Sequence, residues 1–213
     1  MAAPAAAIAA PSVLADLLPA RTKAAAYARD AVLVLGGAAA VGASAQIAIT
    51  IPQITPVPFV LTTFTVLLLG AAYGPLRAGI TLALYLAAGA AGVPWFTDGT
   101  SGYAMPSFGY IIGFLAASVA VGYLAKRGGD RTILKTVGLM VVGNVLMYAF
   151  GAPYLALATG MDAATTIEKG VLPFLAGDAV KLVVAALLLP GAWAAVDRFR
   201  SERQRGAESE AQS

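Results

Sequence analysis

Apolar residues along this chain gather into long blocks instead of alternating with polar ones. Six such runs follow one another, at about residues 30–51, 59–74, 78–93, 107–125, 134–158 and 172–195. A helix needs about 20 apolar residues to cross a bilayer, with a range of about 17–25. The second and third runs are short for this, which implies tilt, extension by their flanks, or partial burial in a bundle. Six spans is the simplest count, and the expected fold is an all-α integral membrane protein with six transmembrane helices.

The interruptions carry turn chemistry. "IPQITPVPF" (51–59) holds three prolines, each fixing its own φ and biasing the residue before it, so an extended, stiff loop is expected. "YGPLRAG" (73–79) reads as a tight turn, "VPWFTDGTSGYAMPS" (93–107) as a long Gly-rich aromatic loop, "AKRGGDRTILK" (125–135) as a polar turn and "TGMDAATTIEKG" (159–170) as a loop. Residues 1–28 form an Ala/Pro-rich tail, loose or interfacial, whose start lacks the basic n-region of a secretory signal. Residues 29–197 form the six-helix domain, and 198–213 a polar tail rich in both charge signs.

Composition agrees with a bilayer as solvent. The chain is 59% hydrophobic and 12% charged, against about 25% charged in soluble domains. Its mean hydropathy is +0.79. With no Cys and no His, thiolate chemistry, disulfides, histidine bases and nearly all transition-metal sites are excluded, and neither metal nor cofactor is expected. The net charge of +3 would suit nucleic acid, but its distribution argues for topology. Twelve of the 14 basic residues fall in the tails and alternate connections: Arg21, Lys23, Arg29, Arg77, Lys126, Arg127, Arg131, Lys135, Arg198, Arg200, Arg203 and Arg205. The positive-inside rule then puts both termini in the cytoplasm, makes the span count even, and places a multi-pass protein in the cell (plasma) membrane.

Two charges break the last run. Asp178 and Lys181 stand i,i+3 in "FLAGDAVKLVVAALLLP" (174–190), which sets them about 60° apart on one helix face and about 4.5 Å apart along the axis. Each costs about 2.5–3.5 kcal/mol at mid-membrane on insertion scales. Two readings compete: a self-neutralising bridge that glues helices, or a site for a polar ligand with both donor and acceptor groups. A proton relay is disfavoured because no second carboxylate lies inside another span. No phosphate-binding loop, HExxH or GxSxG frame occurs, so an enzyme is not expected.

Other residues carry paired readings too. Asn144 and Tyr148, at i,i+4, share a face that serves either a ligand or interhelical packing. Trp95 and Phe96 suit interface anchoring, and Tyr85 suits a pocket wall or simple packing. Ser107 either caps the helix beginning near Tyr110 or touches a ligand. Small residues Gly36, Ala40 and Ser44 recur every four positions, with Ala24 and Ala28 below them, which allows close helix approach.

Four stretches, taken together and in order, resemble the BioY family, the biotin-specific S component of energy-coupling factor (ECF) transporters. "TPVPFVLTTFTVLLLGAAYGP" is similar to its Pro-Val-Pro-Phe loop, second helix and Gly-Pro turn. "YLAAGAAGVPWF" fits its Tyr-x3-Gly-x2-Gly-x-Pro-x-Phe pattern, "PSFGYIIGF" its Gly-Pro-Thr-Gly-Gly-Tyr-x2-Gly-Phe segment, and "FLAGDAVK" its Asp-x2-Lys. The likeness runs from about residue 30 to 195. It departs where the family has Thr and Gln and this chain has Val60 and Thr62, and where Met105-Pro106-Ser107-Phe108-Gly109 replaces Gly-Pro-Thr-Gly-Gly.

The resemblance implies an S-component-like bundle that captures biotin from the outer side and works with a transmembrane coupling subunit and two ATPases. It implies ligand-contacting roles for Asp178, Lys181, Asn144, Tyr148, Tyr85, Ser107, Tyr110 and Phe96. It also implies a gating loop at about 52–63 that includes Pro56, Pro58, Phe59 and Thr62, and a docking face for the coupling subunit at Ala24, Ala28, Gly36 and Ala40. Biotin suits the pair chemically: a carboxylate accepts from ureido N–H groups, and an ammonium donates to the ureido oxygen or pairs with the tail. Such charge-assisted bonds are about twice as strong as neutral ones. The alternatives are an S component for another vitamin, such as thiamine or riboflavin, and a non-transport membrane protein with a structural Asp178–Lys181 bridge. A homo-oligomer is left open, and no nucleic-acid partner is expected.

Overall fold

The computed structural model describes residues 12–211. Its helices are α1 (Lys23–Ala45), α2 (Thr62–Ala90), α3 (Phe108–Lys126), α4 (Ile133–Thr159), α5 (Ala163–Gly170) and α6 (Leu172–Ala211). Two short strands, β1 (Ala48–Ile49) and β2 (Phe59–Val60), pair antiparallel with Ala48 opposite Val60. Among the described residues, five helical stretches are long and apolar enough to cross a bilayer.

The second and third apolar runs both lie in α2, which is broken at Gly74 (φ 78°, ψ 173°). That φ is available to glycine at little cost and to other residues rarely. Pro75 follows, pre-set for a helix's first turn. The break reverses the chain. A straight helix would hold Thr62 and Tyr85 about 35 Å apart, yet both line one cavity. A Cβ added at Gly70 would sit 2.8 Å from the Ser118 oxygen, and one at Gly79 would sit 3.0 Å from Val119. The two arms, 62–73 and 75–90, therefore lie side by side as a hairpin against α3.

Glycines set how closely α3 packs. A Cβ at Gly122 would stand 2.6 Å from the Gly74 carbonyl carbon, and one at Gly113 would stand 2.8 Å from Met147 Cα. Close backbone approach of this kind replaces the hydrophobic effect, which lipid does not supply between helices. The core is a single cluster spanning α1, α2, α3, α4 and α6, with Val41, Val66, Leu82, Val121, Met140 and Leu155 fully buried.

Several connections hold more structure than their composition suggested. The segment 159–170, read as a loop, contains α5. Gly160 ends α4 in the left-handed region (φ 71°), and Asp162 caps α5 by accepting from the Thr165 N–H at 2.8 Å. That bond, in a position with no burial, holds the Asp162 carboxyl below the usual carboxylate range. The first eleven residues of the expected tail lie outside the described residues. The next ones are tied down: Val13 and Ala15 are buried, and Val13 lies against Gly74. Arg77 donates to Asp16 at 2.9 Å and to Asp30 at 3.0 Å. Burial alone would raise the Asp16 carboxyl, but bonds from Arg77 and Ser12 outweigh it and carry it below its ordinary value. α1 begins at Lys23, inside the stretch read as tail, and α6 continues helically through 198–211.

The bundle thus has two unlike ends. Gly74, Arg77, Asp16, Asp30 and Lys126 surround one opening. Near the α3–α4 turn, Trp193 of α6 donates to the buried Asp130 at 2.6 Å, and the Arg131 guanidinium covers the Trp193 ring at 3.3 Å. Burial raises the Asp130 carboxyl despite that bond. Thr62, Tyr85, Ser107 and Asp178 lie around a cavity away from this basic end.

Candidate functional site

A cavity opens among α2, α3, α4, α6 and the first loop, with about 660 Å³ of empty space when the open solvent at its mouth is included. Its walls are mostly apolar: Val57, Ile111, Phe114, Met147 and Phe174, with Met105 above. Of its polar groups, Asp178, Lys181, Tyr148 and Thr63 are joined by hydrogen bonds, while Thr62, Tyr85, Thr97, Ser107 and Tyr110 also line it. A largely apolar hollow with a few placed polar groups is the usual form of a small-molecule site.

The charged pair is built from three elements. Lys181 Nζ donates to Asp178 at 3.2 Å, to Thr63 Oγ1 at 2.8 Å and to the Val60 carbonyl at 3.1 Å. Tyr148 of α4 donates its hydroxyl to the other Asp178 oxygen. Asp178 is nearly buried, while the Lys181 side chain keeps 27% of its exposure. The ammonium therefore ties α6 to the start of α2 and to β2, and Tyr148 ties it to α4. Thr62 differs from its neighbour: its hydroxyl oxygen is buried and has no hydrogen-bond partner. An orphaned buried hydroxyl costs about 1–3 kcal/mol.

Tyr110 lines the wall and donates to the Gly170 carbonyl at 2.6 Å, which locks its ring to the end of α5. It meets Tyr148 edge-on at 6.4 Å. Tyr85 is almost fully buried and exchanges two bonds with Trp95. Its hydroxyl donates to the Trp95 carbonyl at 3.3 Å, and Trp95 Nε1 donates to the Tyr85 carbonyl at 3.0 Å. Ser107 lines the cavity and precedes α3 without a side-chain capping bond.

Not every expected residue reaches the cavity. Phe96 is fully buried behind Tyr85, with ring centroids 5.2 Å apart, and packs into the space that Gly89 leaves open. It is a core wedge, neither a lining group nor an interface anchor. Asn144 faces a smaller void of about 200 Å³ on the far side of the charged pair, lined also by Thr63, Leu67, Met140, Asp178 and Lys181. Of the expected gating residues, Pro58 and Thr62, the first residue of α2, line the cavity; Pro56 does not, and Phe59 meets Phe174 at a tilt with ring centroids 4.8 Å apart. Ala24, Ala28, Gly36 and Ala40 all lie on an exposed side of α1, whereas Ser44 turns inward and is buried. A Cβ added at Gly36 would meet nothing within 4 Å beyond its own helix.

Residues missed by sequence reasoning are Thr63, Thr97 and the apolar lining. Thr63 carried a signal: a second hydroxyl beside Thr62 at the mouth of an apolar helix. The lining carried none, because a Met or Phe in a span reads the same whether it faces a cavity, a helix or lipid.

Comparison with known proteins places this architecture. The model of the family described as the BioY family matches residues 16–198. A protein named "Biotin transporter BioY" from Rhizobium etli is 34% identical over 143 residues, covering 62% of this chain and 76% of that protein. A "Probable biotin transporter BioY" from Pyrococcus horikoshii is 34% identical over 164 residues, covering 76% of this chain and 94% of its own length. The crystal structure of the S-component for biotin from an ECF-type ABC transporter superposes with a TM-score of 0.71 at 22% identity, covering 81% of this chain and 94% of that one. At that identity the superposition speaks for the fold. With a match over most of its length and relatives named as transporters, this chain belongs to the BioY family.

Proposed function

We propose that this chain is the biotin-binding membrane subunit of an ECF-type transporter, taking biotin at the outer side and delivering it inward. The observation that carries the reading is the meeting of Asp178, Lys181, Tyr148 and Thr63 in the wall of a largely apolar cavity. Biotin is apolar along its thiophane ring and chain, and polar at its ureido ring and carboxylate. Asp178 accepts from the ureido N–H groups, Lys181 donates to the ureido oxygen or the tail carboxylate, and Tyr85, Tyr110 and Ser107 border the bound molecule. Asn144 supports the pair from behind.

In this reading the chain crosses the membrane six times, the arms of α2 counting as two crossings, with both termini cytoplasmic. The clustering of Arg77 and Lys126 at the end away from the cavity supports that orientation. The loop 52–63 gates the cavity, with Pro56, Pro58, Phe59 and Thr62 as its moving parts, and its contact with Phe174 is the closed position. A transmembrane coupling subunit and two ATPases supply the energy, since no nucleotide-binding motif lies in this chain. The exposed Ala24, Ala28, Gly36 and Ala40 face offers the coupling subunit a close approach. The domain division is one bundle, entered at Lys23 where α1 begins, with a shorter segment before it and the helical extension of α6 after about 197.

Equilibrium binding to purified protein tests the proposal, with thiamine and riboflavin as competitors. Biotin binding that neither competitor displaces supports it; displacement by either, or no biotin binding, overturns it. A second reading has its own observation. Lys181 is already saturated by Asp178, Thr63 and Val60, as a purely structural bridge would be.

A further inference from the structure

We propose that Gln46 is a positioning residue for the bound ligand: from the end of α1 it clasps the turn 96–99 and holds Thr97 at the lip of the cavity. The inference rests on the binding role proposed above for that cavity.

Gln46 follows the last residue of α1, where helix carbonyls run out of partners. Its amide nitrogen donates to the Gly42 carbonyl at 3.1 Å, the Trp95 carbonyl at 3.2 Å and the Phe96 carbonyl at 3.0 Å, sharing two hydrogens among three acceptors. Its amide oxygen accepts from the Gly99 N–H at 3.1 Å. One side chain thus grips both ends of a four-residue turn some fifty positions away. The network also fixes which way the amide points, because carbonyls face its NH₂ end and an N–H faces its oxygen.

The turn needs holding. Asp98 stands at φ 56°, the single non-glycine residue with positive φ among the described residues. Such backbone persists where the surroundings over-determine it. Thr97, between the two points that Gln46 grips, lines the cavity. Directly behind, Phe96 is wedged against Tyr85, itself a wall of the cavity. Releasing the turn therefore loosens both the lip and its backing. A lip held in place before the ligand arrives lowers the ordering cost of binding. Its loss is felt mainly in how fast the ligand leaves, since changes within one interface fall largely on dissociation.

The test uses the full chain in lipid nanodiscs, with labelled biotin as probe and Gln46→Ala, Thr97→Ala and the double variant compared with the parent. Gln46→Ala is expected to speed dissociation about tenfold, the ordering cost of the released lip falling on the bound state, with association changed less than about threefold. The melting temperature of the ligand-free protein is expected to stay near the parent's. The effects of Gln46→Ala and Thr97→Ala are expected to be less than multiplicative, because one acts through the other. Unchanged dissociation, multiplicative effects, or an affinity loss that only tracks lost stability would overturn the proposal. Amide exchange at residues 96–100 without ligand separates the two claims. If the parent itself fails to bind biotin, the functional reading fails, while unchanged protection in Gln46→Ala overturns the clasp on its own.

Discussion

Consider neutralising the charged pair one member at a time and then together. Lys181→Met keeps the side-chain stem as far as Cε but removes the donations to Asp178, Thr63 and Val60. Asp178, with its side chain 9% exposed, then holds a carboxylate supported only by Tyr148. Breaking one side of a buried pair costs about 3–5 kcal/mol. The 27% exposure of Lys181 places this case near the low end, about 3 kcal/mol. Asp178→Asn strands the ammonium less severely, since Thr63 and Val60 remain. The double variant Asp178→Asn/Lys181→Met buries no net charge, and neutral replacement of a whole pair is often close to neutral in stability. Its stability is expected to return to within about 1 kcal/mol of the parent. Ligand affinity should not return. Each lost charge-assisted bond is worth about 1.5–3 kcal/mol, or about 10- to 150-fold. Thermal unfolding with and without biotin, together with titration calorimetry, reads both quantities on the same preparations. A double variant that regains stability and binds biotin within about threefold of the parent would show that the pair makes no contact with the ligand. The pair would then be a bridge that the ligand ignores.

Two further outcomes are expected. Thr62→Val removes an unpartnered buried hydroxyl without changing shape, so the ligand-free protein should gain up to about 1 kcal/mol while biotin affinity falls. A gain in stability with full affinity would show that the hydroxyl serves no ligand. At the basic end, the depressed Asp16 carboxyl contributes stability that is present above its unfolded value, about 3.9, and is lost as pH falls through its lower folded value. Amide protection across residues 13–18, taken relative to the intrinsic exchange rate at each pH, should therefore fall below about pH 4, and in Asp16→Asn it should be low at every pH. A parent that shows no such acid response would contradict the Arg77–Asp16 tie.

The helices were legible because bilayer-length apolar runs, turn residues and charge placement are local signals. The hairpin at Gly74 was legible for the same reason: Gly-Pro between two short runs marks a reversal whatever packs around it. α5 was not, since eight residues of mixed polarity differ from a loop mainly through the Asp162 cap. Asp178 and Lys181 stood out because charge inside an apolar run is costly and therefore conspicuous. Tyr148 shared their face by spacing alone, but its bond to Asp178 depends on how α4 packs against α6. Phe96 and Asn144 mark the limit. Whether a side chain faces the front, the back or the wedge of a site depends on helix rotation, which span-length apolar runs do not encode. Gln46 was illegible for a related reason, its partners lying some fifty residues along the chain.

The most direct test of the binding account is where the ligand's polar ring sits. A structure of the biotin complex, or a solid-state NMR distance from a labelled ureido nitrogen to the Asp178 carboxyl carbon, measures it. The ureido ring is expected within direct hydrogen-bonding reach of Asp178, with Lys181 donating to the ligand's oxygen or carboxylate. A ligand seated elsewhere, with the bonds from Lys181 to Asp178, Thr63 and Val60 all unchanged, would contradict it.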